Sequence, residues 1–274
     1  MKPTSKTDPE AMLCEIVGVL GMGRLGTAFA NGLRAIGCEV HARYRDAAQQ
    51  DLGSWLKPLD LICLSVRDDQ IAGLVQTLAR FNLMGKMVLI HAGTIPLETL
   101  NPLLQQGSRI GKFHPLMSFS DKKSGGIPEG TPFAIEGEGV EAVVRPWVEA
   151  WHGQLFHVRG AQWRTYHLAA VVAANFLPLF IRKGGELLEE LTGGDQSEAL
   201  AWLAPLIRHS VEKALNPNED LPFSGPAIRG DGQVLAAQEA ILAGTSQSWA
   251  DLYRLASQQI AKLGDEANNG LKKT

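Results

Sequence analysis

The chain has 274 residues, 45% of them hydrophobic and 20% charged, with a formal net charge of −3. This balance excludes a general attraction to nucleic acid, no run of lysines or arginines supplies a local one, and the length allows one large or two modest domains. Cys14, Cys38 and Cys63 lack metal-ligand spacing and fall in apolar or strand-like stretches, so buried reduced thiols of a cytoplasmic protein are expected, with neither disulfides nor a metal site.

Residues 1–12, MKPTSKTDPEAM, lack the apolar segment of a signal peptide and read as a disordered polar tail. CEIVGVL (14–20) is a short apolar, β-branched strand pattern, and RLGTAFANGLRAIG (24–37) has helical spacing ending at Gly37, a C-cap glycine. Further strands are expected at CEVHARY (38–44), LDLICLSV (59–66) and KMVLIHAG (86–93), with helical patterns such as DQIAGLVQTLARF between them. RIGKFHPL (109–116) and TPFAIEG (131–137) add short strands. Strands alternating with helices imply an α/β fold, a doubly wound parallel sheet with helices on both faces.

From about residue 161 strand patterns give way to helical ones over 163–190, 196–215, 233–243 and 246–264, which places a domain boundary there. The expected organisation is a nucleotide-binding domain over 13–160 and an all-helical domain over 161–274. The longest apolar run, LAAVVAANFLPLFI (168–181), falls short of the roughly 20 residues that span a bilayer and reads as a buried helix. Asp195 with Glu198 resembles a capping box opening the next helix.

Gly21, Gly23 and Gly26 stand at the spacing G-x-G-x-x-G between the first strand and the first helix. In that context each has a job. The first permits a tight turn, the second lets a pyrophosphate approach the backbone, and the third lets helix and strand pack closely. The helix N-terminus then aims N–H groups and a positive dipole end at the phosphates, so Met22, Arg24 and Leu25 join the glycines as contacts of a Rossmann dinucleotide site.

The end of the second strand reads HARYRD, where an acidic residue would select NAD; Arg43 and Arg45, on either side of Tyr44, suit the 2′-phosphate of NADP instead. The alternative is that these arginines solvate a strand end. Val66, Arg67 and Asp68, at the end of the third strand, are expected against the cofactor ribose, with the aspartates of VRDD as possible caps of the next helix.

LSVRDDQI, VLIHAG, GKFHPLMSF, YHLAAVVAANF and SGPAIRGD occur here in an order that resembles the two-domain Rossmann proteins whose C-terminal part is the domain of unknown function 2520, over residues 14–264. That family is similar in build to hydroxyisobutyrate dehydrogenases, pyrroline carboxylate reductases and ketopantoate reductases. The resemblance implies nicotinamide-dependent redox chemistry and a homodimer formed through the helical domain. Its best single substrate guess is ketopantoate, within small keto or imino acids. Prephenate-type dehydrogenation, on the likeness of HPLMS, and a non-catalytic NADP(H) sensor are the competing readings. Relatives of this build place a catalytic lysine four residues before an asparagine; here Asn175 is preceded at that spacing by Val171.

Another proton donor is therefore needed, and His167 is the expected one, facing His114 across the domain cleft. On an unbroken α-helix His167 and Asn175 are separated by a rise of roughly 12 Å and an offset near ~80°. His91 and Ser118 fall at strand carboxyl ends, where cofactor and substrate bind in such sheets. In PFSGPAIRGDG (222–232), Arg229 is a candidate for gripping a substrate carboxylate, with Asp231 to orient it or to form an internal pair with it. Arg164 and Lys183 read as surface charges, and Tyr166 as packing or a secondary donor.

Overall fold

The computed structural model describes residues 16–44, 51–119, 125–216 and 223–271; the polar tail, Cys14 and Arg45 lie outside the described residues. Seven strands form one sheet: β1 (Ile16–Leu20), β2 (Glu39–Arg43), β3 (Leu61–Leu64), β4 (Met87–Ile90), β5 (Arg109–Pro115), β6 (Pro132–Glu136) and β7 (Gln154–His157), in the order β2-β1-β3-β4-β5-β6-β7. β1 to β5 are parallel, so their carboxyl ends share one edge. β6 runs antiparallel to β5 and β7 parallel to β6, a departure from the all-parallel expectation. Antiparallel neighbours need no crossover helix, and none occurs among the described residues that link β5 to β6.

LICL and MVLI, in β3 and β4, are buried at every position, as expected of strands covered on both faces. Alternate residues feed two cores. On one face Val17, Val19, Leu61, Cys63 and Leu89 pack with Phe29 and Leu33 of α1 (Arg24–Ala35) and Val144 and Trp147 of α5 (Val140–Ala150). On the other, Ile62, Leu64, Val88 and Ile90 pack against α2 (Leu52–Leu56), α3 (Asp68–Leu78) and α4 (Asn101–Leu104). Cys38 and Cys63 are both buried, and burial pushes the Cys63 thiol far up, so it stays protonated. α5 and the half-buried edge strand β7 had no clear signature of their own.

Contacts divide the chain into units 1–175 and 176–274, later than the composition shift at 161. The first unit therefore includes α6 (Gln162–Ala170) and a π-helical turn, Val171–Asn175. The second comprises α7 (Phe176–Thr192), α8 (Gln196–Leu215), the short α9 (Pro226–Arg229), α10 (Gly232–Thr245) and α11 (Gln247–Leu271). Asp195 caps α8 by accepting from the Glu198 N–H at 2.9 Å and from Ser197 Oγ at 2.6 Å, which holds its carboxyl below the usual range.

The apolar run 168–181 is not buried. Leu168 and Val172 in the first unit and Phe176, Leu177, Leu179 and Phe180 in the second are exposed among the described residues. By length and composition alone the stretch 162–192 is long and apolar enough to cross a membrane. Lys183 is not a surface charge either: its side chain is 16% exposed and its ammonium lies 5.6 Å from the Trp249 ring centre.

Gly26 joins α1 to the sheet. A Cβ there would stand 1.9 Å from the Gly21 carbonyl oxygen and 3.0 Å from Ser65 Cβ. Gly26→Ala should therefore lower stability by about 1–3 kcal/mol or more, because the obstacle is backbone. Urea denaturation checks this; an unchanged midpoint would mean that α1 does not depend on this contact.

Candidate functional site

The turn after β1 is held by backbone. Gly21, at φ +104°, donates its N–H to the Arg43 carbonyl at 2.9 Å, and Ser65 N–H donates to the Leu20 carbonyl at 2.8 Å. A side chain at Gly21 would strike Ser65 backbone at 2.7 Å. Gly23 differs: a Cβ would meet nothing within 4 Å, and this residue is the N-cap of α1 with no side chain capping it. The turn thus leaves an open backbone concavity at a helix N-terminus, with Met22, Arg24 and Leu25 around it, at the point where β2 and β3 leave β1 on opposite sides. The residues present fit a dinucleotide pyrophosphate. At the end of β2 the Arg43 guanidinium lies 5.9 Å from the Trp55 ring centre, and Tyr44 is exposed.

At the end of β3, Val66 packs on the second core and Arg67 pairs with Asp69. Asp68 and Asp69 sit in the first turn of α3, where the helix dipole favours them, but no side chain caps that helix. Asp68 instead accepts from the Thr94 hydroxyl. His91, after β4, is buried, stacks on Phe29 at 3.9 Å between ring centres, and shares a 2.8 Å hydrogen bond with Ser65 Oγ through Nδ1. Its Nε2 is buried with no hydrogen-bond partner among the described residues. Burial, reinforced by His114, lowers this imidazole to about 3, so it is neutral and serves as a packed floor.

The densest chemistry is at the end of β5. Lys112 and His114, two residues apart, share one face of the strand. His114 Nδ1 and the Tyr166 hydroxyl of α6 are 2.7 Å apart. A Cβ on Gly93 would lie 3.2 Å from His114 Nε2 and 3.1 Å from His167 Cδ2, so both imidazoles converge on that glycine. His167 thus meets His114 within the first unit, rather than across a cleft from a separate domain. Burial lowers His114 to about 4, with His167 and Lys112 adding to the effect and Asp68 opposing it; burial also pushes the Tyr166 phenol up. At neutral pH both groups are uncharged hydrogen-bonding groups.

Asn175 closes the π-helical turn and is exposed. That turn changes the helical phase, so the offset from His167 calculated for an unbroken α-helix does not apply. Ser118 is exposed beyond β5. In the second unit Arg229 is exposed, whereas Asp231 neither orients nor pairs with it among the described residues. Asp231 caps α10 instead, accepting from the Val234 N–H at 3.4 Å.

Sequence reasoning missed Lys112, Glu136 and the Thr94–Asp68 contact. The available signal was a lysine inside the apolar run RIGKFHPL, two residues before a candidate histidine on a strand.

Residues 131–260 match the family model described as "Domain of unknown function (DUF2520)". No curated protein matches the chain. Among solved structures, a Bacteroides fragilis protein described as a candidate NADP oxidoreductase is 22% identical, with TM-score 0.71, covering 92% of this chain and 100% of its own. The Thermotoga maritima protein TM1727 is 19% identical, with TM-score 0.66, covering 92% and 99%. Plasmodium falciparum pyrroline carboxylate reductase, with NADP bound, is 14% identical, with TM-score 0.58, covering 93% and 100%. These likenesses establish the fold: a Rossmann-like sheet followed by a helical region.

The two buried histidines make stability depend on pH. Their folded values lie below the ordinary histidine value, at about 4 for His114 and about 3 for His91. The unfolded chain therefore binds more protons between pH 6.5 and 4. The stability they allow is present above about pH 6.5 and is lost as pH falls, by about 1.4 kcal/mol per unit per histidine. Urea midpoints at pH 7.5 and 5.0 should differ accordingly, and His114→Gln should reduce the slope. A flat profile would show that His91 and His114 are both protonated as freely in the folded protein as in the unfolded chain.

Proposed function

We propose that this chain, which carries the domain of unknown function over residues 131–260, is an NADP-dependent oxidoreductase. In this reading it reduces a small keto acid, with ketopantoate as the first candidate substrate. The convergence of His114 and His167 on Gly93, at the strand edge that also bears the open Gly23 turn, carries the reading. Arg43 and Arg45 support NADP over NAD, the second from sequence alone.

When bound, NADPH supplies the hydride. Met22, Gly23, Arg24, Leu25 and Gly26 hold its pyrophosphate, Gly21 shapes their turn, and Val66, Arg67 and Asp68 flank its ribose. Tyr166, kept neutral by burial, donates its hydroxyl hydrogen to His114 Nδ1, which leaves the hydrogen of His114 on Nε2 aimed toward Gly93. His114 thereby orients the substrate oxygen without adding a charge, and His167 delivers the proton that the new alkoxide takes up. Asn175 and Ser118 complete the substrate surroundings, and for the substrate carboxylate Arg229 is the candidate from sequence alone. A carbonyl is preferred to a protonated imine because the buried Lys112 ammonium favours negative charge developing on oxygen and repels a cationic nitrogen.

The uncovered apolar side chains of the second unit, including Phe176, Phe180, Trp202, Leu206 and Ile241, support a homodimer through its helices. Light scattering should return twice the 29.6 kDa chain mass without detergent. A detergent-dependent monomer would assign that face to a membrane instead.

The decisive assay is oxidation of NADPH and NADH against a panel of keto and imino acids. NADPH should be preferred, with a keto acid the best substrate. On that substrate His167→Ala should lower kcat roughly 100- to 10,000-fold with little change in NADPH affinity. His114→Ala should raise KM as well. Turnover spared by His167→Ala but lost in His114→Ala would reverse their roles, and turnover of imines alone would overturn the carbonyl assignment.

A further inference from the structure

Lys112 lies inside β5 with its side chain fully buried. Among the described residues it forms no ion pair within bonding distance. Nζ donates instead to the Ile95 carbonyl at 2.7 Å and, more weakly, to the Gly93 carbonyl at 3.4 Å, and it stands 3.7 Å from the centre of the Trp163 ring. The carbonyls belong to the turn after β4, the ring to α6. Trp163 is anchored in its turn: its indole N–H donates to Glu136 Oε2 at 2.7 Å, and Glu136 Oε1 accepts from the Gly160 N–H at 2.7 Å.

A buried ammonium held only by carbonyls and a ring face is expensive to desolvate, and an apolar side chain of similar length would fill the space without that penalty. What the cation adds is a link between two segments. The turn carries Gly93, α6 carries Tyr166 and His167, and His114 lies between them.

We propose that Lys112 is a positioning residue, whose ammonium clamps the Gly93–Ile95 turn to Trp163 and thereby fixes the His114–Tyr166 pair and His167 around Gly93. The inference deepens the reductase reading of this site and rests on it. Lys112 acts on His114 in a second way, through its charge. The groups bearing on His114 are Lys112, His167 and Asp68, while Glu136, Asp68 and Glu98 bear on Lys112 itself. Burial draws the ammonium down to about 8 against those three carboxylates, which leaves it largely charged at neutral pH.

Lys112→Met removes both the clamp and the charge; Trp163→Leu removes the aromatic half of the clamp and keeps the charge. Each is measured for NADPH affinity, for kcat and KM on the best acid, and by histidine-labelled NMR of the cofactor-free protein, which needs no substrate. Both variants should bind NADPH within about twofold of the parent and lose kcat roughly 10- to 100-fold, as expected for misplaced reacting groups. Only Lys112→Met should raise the titration midpoint of His114, because only it deletes a positive neighbour. If Lys112→Met does not fold, Trp163→Leu carries the test through its kcat and the displaced His114 resonances. Folded variants with parental kcat and unmoved His114 resonances would overturn the proposal, as would losses of kcat matched by equal losses of cofactor affinity. If the parent turns over no acid or imine, the reductase reading fails, and displaced histidine resonances would still report the clamp.

Discussion

The contact between residue 26 and the Gly21 carbonyl leaves room for hydrogen and nothing larger, and much of the first unit follows from it. With α1 seated this closely on the end of β1, the first turn of the helix overlooks the carboxyl edge of the sheet, and the open Gly23 position faces outward at the reversal of strand order. The same seating drives Phe29 of α1 onto His91, and His91 in turn joins Ser65 at the neighbouring strand end. The open glycine turn and the buried floor beside it are thus products of one helix depth, because close-packed interiors pass such constraints on without slack.

Beyond that floor, the face of β5 opposite Phe113 carries Lys112 and His114, where the same face of the neighbouring β3 and β4 carries Ile62, Leu64, Val88 and Ile90. Two features make this tolerable. The imidazole and phenol that meet there are neutral and hydrogen-bonded to each other, and the one ammonium is spread over two carbonyls and an indole. On the proposed function, this arrangement suits negative charge that develops on a substrate oxygen, because the hydrogen-bonding groups and the ammonium are already in place.

The fold was legible because its strands are short, β-branched and separated by helical patterns; LICL and MVLI read as buried strands and are buried. The reversed direction of β6 was not legible, since an apolar strand pattern carries no sense of direction. Nor was the exposure of 168–181: the helical signature was right, but exposed apolar residues look the same in sequence as covered ones. In the site, the glycines and the histidines could be named from spacing and strand ends. Lys112 was passed over because a lone lysine in a strand reads as an edge charge. Asp231 was read as a partner of Arg229, although an aspartate preceding a helix caps it more cheaply than it orients a neighbour. The π-helical turn at 171–175 defeated the geometry drawn for His167 and Asn175, because the pitch of an unbroken helix was assumed.

On the proposed function, cofactor and chemistry share the carboxyl edge of the parallel strands. Amide hydrogen exchange of the intact protein, with and without NADPH, tests it most directly. Protection should appear in the segments 21–27, 65–69, 91–95 and 112–115, together with 162–170 of α6, and be much weaker with NADH. Protection confined to the opposite edge of the sheet or to the second unit, or none at saturating NADPH, would contradict the account.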